Sequence, residues 1–288
     1  MSNIALLQHM AKSHRIPNLP NQVRHLLQAF ANQNLGLREL AKVIDDHPSI
    51  AVRLIALANS AWAAPATPVN SVERACLNLG LTLVRSVSIG LALITPFNVT
   101  SCPVFDLSRF WVSSKLVADG AVWLAAKLPN PPAYDAVQSL HTAGLLHHLG
   151  LLCLADLLPK ETQQALKQYQ SESELTLNSV LSQILGTDYC EVGGYFAEIW
   201  GLPEELVEVI RHHRNPSYEG LYFQHVALVE AAACMISALS RSRQTLPDLV
   251  NLDKLGIDQA SQQQVFEALQ QVLPETTEMA VTLFHFNR

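Results

Sequence analysis

Two histidine pairs are the residues of this chain best placed to do chemistry. His147 and His148 sit side by side in the apolar run Ala143-Gly144-Leu145-Leu146-His147-His148-Leu149-Gly150, and His212 and His213 close the run Ile210-Arg211-His212-His213. An imidazole beside a carboxylate on one helix can hold a divalent cation, because the nitrogen suits softer metals and the charged oxygen helps neutralise the ion. The first pair is imidazole at both positions and supplies no negative charge. Imidazoles alone could still hold zinc, but hydrolysis at such a centre also needs an open coordination position, an oriented water and a group that handles protons.

The elements that must position these pairs read as helices. Leu145, Leu146, Leu149, Leu151 and Leu152 cover every helical face, which predicts one buried helix running through His147 and His148. Histidines there must be neutral and hydrogen-bonded or must ligate something, since an unpaired polar group in a core costs about 1–3 kcal/mol. His213 falls with Leu206, Val209 and Ile210 at i, i+3, i+4, i+7 spacing, so it reads first as a core residue with one hydrogen-bond partner. His141 shares a helical face with His148 and reads equally well as a second pocket group or a helix-start residue. Trp111 and Trp200 flank apolar helices and read as core, and Glu204-Glu205 after Pro203 reads as an acidic first turn. No Gly-rich phosphate loop, nucleophile elbow or Cys-His pair is recognisable.

The same helical period extends over nearly the whole chain. Leu37, Leu40, Ala41 and Ile44 predict one amphipathic helix, and Val192, Tyr195, Phe196 and Ile199 another. Asp46-His47-Pro48 predicts a break and a restart, with the new helix ending near Asn59. The uncharged stretch Ser86 to Phe105 is long enough to span a bilayer, but Pro96, Asn98 and Pro103 interrupt it, so it reads as a buried helix followed by a linker. No alternating run is convincing as a strand, and the expected fold class is all-α. The proline- and polar-containing stretch Thr95 to Asp106 separates a helical group from about Ile16 to Phe97 from a second that runs to the C-terminus, and the two are expected to share a large interface.

Composition narrows the function classes. Of 288 residues 49% are hydrophobic and only 15% charged, with mean hydropathy +0.16, which calls for a large buried core. A net charge of −6 argues against a broad phosphate-binding surface, so neither nucleic acid nor a membrane is an expected partner. Five scattered cysteines with no C-x-x-C pair fit reduced thiols in a cytoplasm. Met1 to His9 lacks a basic n-region and a sustained apolar core, so a signal peptide is not expected.

The ordered set of motifs resembles the HDOD proteins, a bacterial regulatory branch related to the HD metal-dependent phosphohydrolases. The N-terminal matches are Ile16-Pro17-Asn18-Leu19-Pro20, His47-Pro48, Leu57-Ala58-Asn59-Ser60-Ala61, and Val69-Asn70-Ser71-Val72 leading into Ala75 and Leu79-Gly80. The C-terminal matches are Phe110-Trp111, Ala143 to Gly150, Gly186-Thr187-Asp188-Tyr189-Cys190-Glu191-Val192-Gly193, Trp200-Gly201-Leu202-Pro203, and Ile210 to His213. Together they cover roughly residues 16 to 235. The resemblance implies an N-terminal helical subdomain over residues 1–100 and an HD-like helical subdomain with a degenerate metal site over 101–288.

The departures from the HD pattern set the functional expectation. Ser113 stands where a first His would follow the Trp, His148 stands for the Asp, and Tyr189 replaces the His before Glu191-Val192-Gly193. A last Asp would fall near Ala233, yet no Asp occurs from Tyr218 to Pro247, leaving only Glu219 and Glu230 as substitutes. His47 also replaces an Asp before Pro48, with Asp46 beside it as a candidate helix cap. The implied protein is a non-catalytic signalling or regulatory module of the bacterial cytoplasm, without a cofactor, acting on an unknown signalling protein or small ligand. No sensory domain is read in these residues, so its input is expected in trans.

Its vestigial pocket would be lined by Ser113, His147, His148, Tyr189, His212 and His213, with Tyr189, larger than the His it replaces, closing the cavity. Two alternatives stay open. One is a metal-dependent phosphohydrolase using a divalent metal on His147, His148, His212 and His213 with a migrated carboxylate such as Glu191 or Asp188; the other is a small-molecule sensor using the emptied pocket.

Overall fold

A computed structural model describes residues 21–30, 36–172 and 174–284, and among them every regular element is helical, with no strand. The motif Ile16 to Pro20 and the first nine residues lie outside the described residues. The chain divides into two compact units, and helices α6 (Leu107–Ala125) and α15 (Gln259–Phe284) contribute residues to both.

One unit holds residues 21–96, 107–112 and 271–284, with helices α1 (Asn21–Phe30), α2 (Leu37–Asp45), α3 (Pro48–Ala58), α4 (Val72–Leu79) and α5 (Leu81–Ile94). Leu26, Leu40, Ile44, Ile50, Leu54 and Leu57 form its centre. The later segments complete this core. Trp111 packs on Phe284 with ring centroids 6.3 Å apart and so closely on Gly90 that a Cβ there would meet the indole, and Arg53 donates to the Leu283 carbonyl at 2.9 Å. Asn59 explains its own motif: its side chain donates to the Val69 carbonyl at 2.7 Å and accepts from the Val69 N–H at 2.8 Å, pinning the loop that leads to α4. Asp46 does not cap α3. The N-cap is His47, which makes no side-chain cap bond and turns instead to His25, nitrogen to nitrogen 3.5 Å, while Asp46 is exposed.

The other unit holds residues 97–106 and 113–270, with α7 (Tyr134–Leu146), α8 (Leu149–Leu157), α9 (Pro159–Ser171), α10 (Leu177–Leu185), α11 (Tyr189–Ile199), α12 (Glu204–His212), α13 (Phe223–Ser240) and α14 (Val250–Lys254). Trp200 is buried against Phe97 and Phe196, at 6.4 and 6.1 Å between centroids, as a core residue. The expected apolar stripe of α11 is only half right. Val192 and Phe196 are fully buried, but Tyr195 is half-buried and Ile199 is 53% exposed, because α8 and α12 grip the helix along Tyr189, Cys190, Gly193, Gly194 and Ala197 and leave its last turn outside. The single helix expected through His147 and His148 is broken there: His148 has φ −93° and ψ 11°, a turn conformation, and separates α7 from α8.

Two stretches, Tyr134–Leu157 and Phe223–Ser240, are long and apolar enough to cross a membrane, with 78% and 56% of their windows buried inside the protein. All five cysteines are free thiols, and Cys76, Cys102, Cys153 and Cys190 are buried.

Candidate functional site

Two helix ends and one helix start build the ring cluster. The His147 ring N–H at Nδ1 donates to the Gly144 carbonyl at 2.7 Å, closing α7, and the His213 Nδ1 donates to the Val209 and Ile210 carbonyls at 3.1 and 3.0 Å, closing α12. Terminal carbonyls of a helix lack intrahelical partners, and a histidine one residue past the end can supply the donor. That local bond is the physical reason for the break after Leu146. Tyr189 is placed by the preceding turn, where Gly186 ends α10 at φ +70° and Asp188 Oδ1 accepts from the Cys190 and Glu191 amides at 2.8 and 3.1 Å.

The four rings meet. His147 and His148 centroids are 3.7 Å apart, His147 and His213 5.1 Å, His148 and Tyr189 5.1 Å, and Tyr189 and His213 5.7 Å. His147 and His213 are fully buried, Tyr189 is 4% exposed, and His148 is half-buried at the edge. The approach of α8 to α11 depends on Gly150 and Gly193: a Cβ on Gly150 would collide with the Tyr189 carbonyl oxygen and the Gly193 nitrogen.

Burial pushes the His147 imidazole down to about 4, and burial followed by the neighbouring imidazoles holds His148 and His213 well below the usual histidine value. Burial raises the Tyr189 phenol well above its usual value. All four rings are therefore neutral near pH 7.

Not every expected residue joins them. His212 turns away, stacking on Tyr218 at 4.8 Å with Nε2 3.7 Å from Glu208. Ser113, half-buried on α6, has no hydrogen bond to the rings among the described residues. His141 is buried against Asp119 at 3.6 Å, and Asp119 also pairs with Lys115. Of the carboxylates suggested as migrated ligands, Asp188 caps α11 and Glu191 is half-buried in the first turn of that helix, while Glu230, a substitute for the last Asp, accepts from Asn251 at 2.8 Å.

Sequence reasoning missed Arg214. Its Nη1 donates to the Cys234 Sγ at 3.5 Å, and among the described residues no carboxylate lies within ion-pair distance of its guanidinium. Its electrostatic neighbours are Tyr189, Cys234, Cys190 and the Glu230 carboxylate, and its charge helps lower all three buried imidazoles. The available signal was its position immediately after His213. Cys234 also lines a cavity of about 210 Å³, whose charged lining residues are Glu230, Asp248 and Lys254.

These donors do not fit a divalent cation. Among the described residues no three His, Cys, Asp or Glu side chains are arranged to hold a metal ion. The His147 Nε2 is buried and without a hydrogen-bond partner, and the charge that acts on this imidazole is the Arg214 guanidinium, which repels a cation.

The chain belongs to the HDOD family: the HDOD domain model matches residues 16–216. An uncharacterized protein of Treponema pallidum (strain Nichols) is 25% identical over 207 residues, 69% of this chain and 38% of that protein, so this chain spans well under half of that relative. Among solved structures, a Marinobacter aquaeolei VT8 protein designated "Putative signal transduction protein" superposes with TM-score 0.80 at 24% identity, covering 98% of this chain and 61% of that one. An HDOD domain protein with unknown function from Geobacter sulfurreducens superposes with TM-score 0.72 at 21% identity, covering 98% of both chains.

Proposed function

We propose that this chain is a regulatory module that acts by binding a signalling protein or a small ligand, not by hydrolysis. The observation that carries the reading is the composition of the cluster: three neutral imidazoles, a phenol and a guanidinium, with no carboxylate to neutralise a metal or move a proton. Membership of the HDOD family and the designation of the Marinobacter protein support a signalling-associated role.

Protein purified without an affinity tag is expected to carry far less than one equivalent of zinc, iron, manganese or nickel, and to show no chelator-sensitive hydrolysis of generic phosphodiesters or phosphomonoesters. Stoichiometric metal that survives dialysis against a weak chelator overturns the reading.

A ligand-sensing role has an observation of its own in its favour. The His147 Nε2 has no partner among the described residues, and Tyr189 covers the rings without supplying one.

A further inference from the structure

We propose that His25 and His47 form a labile two-imidazole chelate for a late first-row dication of the zinc type, at the corner where α1 meets the start of α3. This corner is distinct from the ring cluster: both histidines belong to the unit that holds residues 21–96, and the cluster belongs to the other.

The two rings aim one nitrogen each at a single point. His25 Nδ1 and His47 Nε2 stand 3.5 Å apart, with ring centroids at 5.7 Å and planes inclined by 68°. That separation is long for an N–H donor, whose bonds run to about 3.2 Å. It suits a metal better: zinc–nitrogen bonds of about 2.0–2.1 Å at the tetrahedral angle set two ligand nitrogens about 3.3–3.4 Å apart. Each ring would coordinate through its facing nitrogen and carry its proton on the other, so the chelate closes with a shift of about 0.2 Å.

Charge and access favour a cation here, the reverse of the ring cluster. Burial, and then the neighbouring His25, lowers the His47 imidazole, which makes it a neutral ligand near neutral pH. The opposing influence is the Asp46 carboxylate, whose charge attracts a dication. His47 is 6% exposed while His25 is exposed, so a metal on both is held from the protein side and completes its shell with water.

Two features limit the affinity. Among the described residues no third His, Cys, Asp or Glu side chain completes the shell, and His47 Nδ1 is buried without the acceptor that orients a ligand imidazole. The site should therefore fill in the micromolar range and empty on dialysis against a weak chelator. It is compatible with the low metal content expected of the purified protein.

The test is calorimetric titration of the full chain, purified without an affinity tag and stripped of metal, with zinc and with manganese near neutral pH. One equivalent of zinc is expected to bind with a Kd of about 1–100 μM. Manganese, which prefers oxygen ligands, should bind at least about tenfold more weakly. His25→Ala changes an exposed side chain, should keep native circular dichroism, and should weaken zinc binding at least about tenfold. If that variant unfolds, His25→Gln should show the same loss.

No saturable zinc binding by the wild-type chain, manganese bound as tightly as zinc, or zinc binding unchanged in the folded variant overturns the proposal and leaves the pair as a long hydrogen bond. Metal that survives the chelator and persists in the variant would lie elsewhere and count against the non-catalytic reading as well, so the two failures are distinguishable.

Discussion

His147 and His213 each do two jobs with one ring: Nδ1 ends a helix, and the rest of the imidazole packs in a neutral cluster. That arrangement makes stability depend on pH with a defined sign. The folded-state value of His147 lies at about 4, below the roughly 6.5 of an unfolded chain, so its contribution is fully present above the unfolded value and is lost as pH falls toward 4. Complete loss for that one ring amounts to about 3 kcal/mol, and His148 and His213 shift in the same direction. Urea midpoints should therefore fall steadily between pH 7 and pH 4.5, and a flat profile over that window would mean the rings are not buried neutral. The histidines and Tyr189 were legible because motif order singled them out. Arg214 was not, since its neighbours Cys234 and Tyr189 lie twenty or more residues away, and no local period announces a half-buried charge beside them. His212 was misread for a related reason: adjacency to His213 places it about 100° round the helix, facing Glu208 and Tyr218 instead.

Between elements, the contact that matters is α8 against α11. Because Gly150 and Gly193 bring the two backbones together, Tyr189 is delivered to the His148 ring. Gly150→Ala has no flexible side chain to displace and should cost about 3 kcal/mol or more, measured by chemical denaturation. A loss below about 1 kcal/mol, on the scale of simple helix propensity, would show that the helices separate easily. Helix positions were largely readable from the 3.6-residue period, as α2 and α3 demonstrate. The interruption at His147–His148 was not, because a uniformly apolar run carries no phase; a side chain capturing the Gly144 carbonyl, invisible to hydropathy, decides it.

At the scale of the molecule, the apolar composition foretold a large core, and the core is there. Its division among segments could not be read from proline clusters, because helices carry no strand register to announce distant partners, and residues 107–112 and 271–284 belong to a unit otherwise made of 21–96. A fragment ending near Ser101 lacks Trp111, Met279 and Leu283, all at most 4% exposed. It should be aggregation-prone and show no cooperative thermal transition. A soluble, folded, monomeric 1–101 fragment would contradict that division.

The free thiols turn burial into a clock. Cys76 is buried in one unit and Cys153 in the other, burial raises both thiols, Cys76 to about 11, and a thiol in that state is a poor nucleophile. Alkylation of the native protein should wait for structural opening, so its rate at each cysteine reports how often the surrounding helices part. Mass spectrometry that separates the two modified peptides would then time each unit on its own: matched rates mean one shared opening event, and a faster Cys76 means the helices around α4 breathe by themselves.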